Sequence, residues 1–81
     1  MQIKNKVQVI DLLINLLNQI NKNSDEVNLS EILDSLDRLF IVSNFEKATK
    51  IDLNDLLIDP NSWKNLETLS EKIIEVILNE S

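Results

Sequence analysis

Cysteine, histidine and glycine are all missing from this chain, and proline occurs once, as Pro60. Without cysteine there is no thiol nucleophile and no disulfide framework, and without histidine there is no imidazole base that titrates near neutrality. Zinc sites of the usual Cys/His kind are excluded by the same two absences. Glycine-rich cradles for dinucleotides or nucleoside triphosphates cannot be built without glycine. Aromatic residues make up only 4% of the chain, and basic residues are outnumbered 8 to 14, giving a formal net charge of -6. So acidic a chain should repel nucleic acid and anionic lipid. Self-contained catalysis is disfavoured.

No long apolar run is present either. Lys4 and Lys6 precede an apolar stretch, but Asp11, Asn15 and Asn18 interrupt it and no small-residue cleavage site follows. Nothing approaches the span of about 20 residues that crosses a bilayer. A cytoplasmic protein with neither a leader nor a membrane segment is expected.

What is there is 43% hydrophobic and 27% charged over 81 residues, enough for one small domain comprising residues 1–81. A chain of this size buries roughly 60–65% of the surface it exposes when unfolded. All stability must come from packing, so it should be modest.

Four segments organise the chain. In residues 3–20, Val7, Ile10, Leu13, Ile14, Leu17 and Ile20 recur at three- and four-residue steps, with Val9, Leu12 and Leu16 widening the stripe. That pattern predicts a broad-faced core helix rather than a coiled-coil seam. Residues 21–34 read as a long connection, because Asn21, Asn23, Ser24 and Asn28 favour turns. It carries Asp25, Glu26, Glu31 and Asp34, but also Val27, Leu29, Ile32 and Leu33, and is therefore expected to pack onto the core. Asp34 is a good N-cap for a helix over 35–50, with Asp37 in its first turn and Lys47 and Lys50 near its end, all in the sense the helix dipole favours. Asn54 is placed to cap a short helix over 54–59, closed by Pro60, and the last helix runs over 66–79 with Asn65 or Ser62 as its cap. The fold expected is all-α, a small antiparallel bundle of three main helices and one short one.

The helix over 35–50 has apolar residues on two sides. At about 100° per residue, Ile41, Val42 and Phe45 form one face, while Leu36, Leu39 and Phe40 lie nearly opposite. One face suits the core, and the other either completes a sandwiched helix or forms a docking surface for a partner. Ser35 opens this helix directly after the acidic connection, where its hydroxyl is accessible and the helix start favours an attached anion.

The stretch Asp34-Ser35-Leu36-Asp37, about two-fifths along an acidic helical chain of this length, resembles the acyl carrier protein family. The order of long helix, long connection, serine-headed helix, short helix and final helix extends that resemblance over nearly the whole chain. Ile58-Asp59-Pro60-Asn61-Ser62-Trp63 also looks like the Asp-x-x-x-Trp stretch of stand-alone D-alanyl carrier proteins, and Ile32-Leu33 fits their apolar pair. The resemblance implies that Ser35 bears a covalent 4′-phosphopantetheine arm, with Asp34 and Asp37 assisting a phosphopantetheinyl transferase that brings coenzyme A and Mg²⁺. It implies a surface of Leu36, Asp37, Leu39, Phe40, Ser43 and Glu46 read by adenylating enzymes, acyltransferases or synthases. Cargo would be held as a thioester, and an apolar cargo would slip between the second main helix and the short helix near Val42, Leu57 and Ile58. The carrier itself would be a monomer and not an enzyme, with no resident metal.

The chain departs from the family pattern in ways that favour a dedicated partner over general fatty-acid synthesis. Glu31 and Ile32 stand where a glycine is usual, Phe40 and Lys47 where acids are usual, Thr49 where an aromatic is common and Asn54 where a proline is common. Peptide, secondary-metabolite or D-alanine transfer is therefore the expected setting. The competing expectation is an unmodified acidic helical module that binds its partner through Leu36 and Phe40, with Ser35 no more than a helix cap.

Overall fold

A computed structural model describes residues 3–22 and 28–80 of the chain. Among them are three long helices, α1 (Lys6–Gln19), α3 (Ser35–Thr49) and α4 (Leu66–Glu80), one four-residue helix, α2 (Leu29–Ile32), and two 3-10 turns, Asn54–Ile58 and Pro60–Trp63. No strand occurs among the described residues. The expected small all-α bundle is what the chain forms.

Each long helix starts where a short polar side chain can take an orphan amide. Asn5 Oδ1 accepts from the Gln8 amide at 3.0 Å, so α1 begins at Lys6 rather than at residue 3. Ile3 stays outside the helix but is buried. Asp34 caps α3, and Asn65 caps α4 by accepting from the Thr68 amide at 2.7 Å. Ser62, the other residue considered for that role, is buried and donates instead to Asp59 Oδ2.

The connection before α3 is more ordered than its composition suggests. Asn28 Oδ1 accepts from both the amide and the hydroxyl of Ser30, starting α2, and Leu29 and Leu33 are buried on either side of that turn. The Leu29 amide donates to the Lys64 carbonyl, tying α2 to the end of the second 3-10 turn. Val27, expected to pack with these residues, lies outside the described ones, as do Asn23, Ser24, Asp25 and Glu26.

The short helix expected over 54–59 is a 3-10 turn, and Asn54 is its first residue rather than its cap. Asp52 Oδ1 instead accepts the Asn54 amide at 2.9 Å. Pro60 begins a second turn, where its missing N–H costs nothing, with Asp59 as the cap. Trp63 ties the two turns together: fully buried, it donates from Nε1 to the Leu56 carbonyl at 2.7 Å. A buried indole with its N–H satisfied contributes area without an unpaired donor.

One core gathers Val9, Leu13 and Leu17 from α1, Ile41 and Phe45 from α3 and Ile73 from α4, all at 1% exposure or less. The centre of the α1 stripe lies on Val9, Leu13, Leu16 and Leu17, leaving Val7 65% exposed. Packing is closest between α1 and α4, and Lys6 joins the start of α1 to Glu67 and Glu71 in the first turns of α4.

Candidate functional site

The start of α3 is held in place by reciprocal caps. Asp34 Oδ1 accepts from the Asp37 amide at 2.8 Å, and Asp37 Oδ2 accepts from the Asp34 amide at 3.3 Å. Two orphan donors are thereby satisfied, and both carboxylates are committed to the helix end. Lys22, just after α1, approaches Asp37 Oδ2 at 3.9 Å and brings that end of the chain to the same place.

Ser35 is the first residue of α3 and is exposed. Because Asp34 performs the capping, the Ser35 hydroxyl is not needed for it. The serine sits at the edge of an open cleft of about 230 Å³, lined by Ser35, Arg38, Leu39 and Leu57. The cleft lies between α3 and the first 3-10 turn, the place expected for an apolar cargo, but of the residues named for that role only Leu57 lines it. Val42 is buried in the core at 1% exposure, and Ile58 is turned outward at 81%.

The second apolar stripe of α3 divides between core and solvent. Leu36 is 75% and Leu39 47% exposed, and Ser43 is exposed as well. Phe40, assigned to the same surface, is only partly exposed and packs against the core. Glu46 is also occupied within the fold, since its Oε2 accepts the Leu53 amide at 2.8 Å and secures the turn after α3. The open apolar surface beside Ser35 is therefore Leu36 and Leu39 rather than Leu36 and Phe40.

Arg38 is the residue that motif reading passed over. Its Nη2 donates to the Ser30 carbonyl at 3.1 Å, bridging α3 to α2, while its Nε is buried without a partner. The available signal was its position: the only arginine of the chain, three residues after Ser35 and hence on the same helix face.

In residues 58–63, the described contacts are structural. Trp63 is fully buried and Asp59 accepts the Asn61 amide as a turn cap. No group of three or more acids among the described residues is arranged to hold a metal ion. Ser35 also has no histidine anywhere in the chain to deprotonate it.

Fold and site together define a small all-α domain that presents an unencumbered serine at a capped helix start, beside an amphipathic cleft. Compared with known proteins, the chain matches no family model, no curated protein and no solved structure. No helix among the described residues is long and apolar enough to cross a membrane.

Proposed function

We propose that the protein is a carrier whose Ser35 receives a 4′-phosphopantetheine arm and holds acyl or aminoacyl groups for transfer between partner enzymes. The observation that carries this reading is the position of Ser35, exposed at the first turn of α3 and relieved of capping by Asp34. A hydroxyl so placed can enter another protein's active site without loosening the helix. In loading, the Ser35 oxygen forms a bond to the phosphorus of the pantetheine phosphate. The pyrophosphate bond of coenzyme A breaks, 3′,5′-ADP leaves, and the serine proton passes to a base of the transferase.

The arm supplies the thiol that a chain without cysteine lacks. The chain's own part is to position and expose: Asp34 and Asp37 hold the helix start, and Leu36 and Leu39 offer apolar area to an enzyme face. A tethered cargo then has a high effective concentration at each site the arm can reach. Phe40 and Lys47, at positions where the family has acids, favour dedicated partners in peptide, secondary-metabolite or D-alanine-type transfer.

The exposure of Leu36 and Leu39 also suits an unmodified interaction module. Intact mass after incubation with coenzyme A, Mg²⁺ and a broad-specificity phosphopantetheinyl transferase separates the two. A gain of one phosphopantetheine on the native chain, absent from Ser35→Ala, is the result expected of a carrier. A folded native chain that gains nothing from several transferases overturns that reading in favour of the module.

A further inference from the structure

We infer that Arg38 is the anion-binding residue of the cleft and holds the phosphate diester through which a group is attached to Ser35; this rests on the carrier reading above. Arg38 is the one arginine in a chain of net charge -6. No ion pair joins it to a carboxylate among the described residues, whose pairs are Lys6 with Glu67 and Glu71 and Lys22 with Asp37. The nearby acids Asp34 and Asp37 are engaged in capping α3. Of the five N–H donors on a guanidinium, one reaches the Ser30 carbonyl and the Nε–H reaches nothing, although it is shut off from solvent.

A charged donor buried without an acceptor is unfavourable, and a fork of N–H groups matches phosphate oxygens in geometry and charge. Arg38 lines the same cleft as Ser35, one helical turn away, so a phosphate on the serine oxygen lies on the face from which the guanidinium projects. Rotation about the terminal torsions of the arginine turns its fork from Ser30 toward that phosphate. The need for a cation there is electrostatic as well, because a phosphate on Ser35 is flanked by the Asp34 and Asp37 carboxylates. Lys22, the other cation in reach of this end, is directed at Asp37 and does not line the cleft.

A single arginine gives a single Nε–H signal in the proton–nitrogen spectrum of the ¹⁵N-labelled chain, which makes the test specific. That signal is followed as the chain is loaded by the transferase, with intact mass reporting the extent of loading. The expected result is a downfield shift of the Nε–H proton and slower exchange with water in the loaded chain. The ³¹P resonance of the loaded protein should also move in Arg38→Gln and return part of the way in Arg38→Lys, each variant being first checked for a native backbone spectrum. Full loading with an unchanged Nε–H signal overturns the role of Arg38 and leaves the carrier reading standing. A folded chain that gains no mass overturns the carrier reading, and the role of Arg38 falls with it.

Discussion

At the scale of single residues, the start of α3 separates jobs that one serine often combines. Asp34 supplies the cap and Ser35 is left exposed, so the loss of the Ser35 hydroxyl should leave the fold intact. Ser35→Ala is expected to abolish loading by a phosphopantetheinyl transferase while shifting stability by no more than about 0.5 kcal/mol, as for most exposed positions. Urea denaturation alongside intact mass checks both halves. Trp63 is the opposite case. Its N–H is bonded in the interior to the Leu56 carbonyl, so Trp63→Phe should destabilise the chain by about 1–3 kcal/mol, read as a lower denaturation midpoint. The place of Ser35 at the start of α3 was legible from its neighbour Asp34, a good N-cap. Arg38 was not, because nothing in its local sequence shows that the carbonyl of Ser30 and the side chain of Leu57 lie beside it.

At the scale of elements, the helices obey their ends. Asp34→Ala removes one half of the reciprocal cap and should cost about 0.5–2 kcal/mol in thermal or chemical denaturation. The other end of α3 carries a strain, because a lysine stands where glycine or asparagine would fit more easily. Lys50 closes the helix in the left-handed region, with φ 60° and ψ 29°, where a Cβ crowds the following carbonyl. Lys50→Gly is therefore expected to raise stability by about 0.5 to 1 kcal/mol, the relief of strain exceeding the added freedom of the unfolded chain. A higher urea midpoint at unchanged slope would bear this out. The start of α3 was legible because capping is a contact within three or four residues, whereas the Asn5 cap of α1 was passed over because apolar residues already begin at Ile3. The helix α2 was not legible, since four residues are too few for an apolar period and Asn28 reads as a turn former. Asn28 does start a turn, and Leu29 inside it becomes core only because the 3-10 turn at Pro60–Trp63 packs against it.

At the scale of the whole molecule, the main ion pairs join the two chain-terminal helices. The hydrogen bond from Lys6, with its charge, holds the Glu67 carboxyl below the usual glutamate range, and the same bond raises Lys6 above the ordinary lysine value, with Glu71 adding to it. The lowered carboxylate stabilises the fold above the usual glutamate range, and that contribution is lost as pH falls through the depressed folded value. The raised lysine contributes below the usual lysine range and loses its share as pH rises through the elevated folded value. Between these limits the contribution is level. All three groups are exposed enough for salt to screen them, so the effect should be small and shrink with added salt. Denaturation midpoints of the native chain and Lys6→Met, followed downward from neutral pH at low and high salt, should converge in acid and in high salt.

The amino-acid sequence alone determined the all-α class, the long helices, the cap at Asp34 and the lack of any thiol or imidazole. Each of these depends on residue type or on neighbours within one helical turn. Tertiary structure decided the rest. Leu36 and Leu39 face solvent while Phe40 turns to the core, although all three lie on one stripe of the same helix. Glu46 is drawn onto the Leu53 amide, and Arg38 is set between Ser30 and the cleft. A helix with apolar residues on two sides has no preferred inward face of its own. The face is chosen by the neighbours that cover it, and those neighbours are remote in the chain.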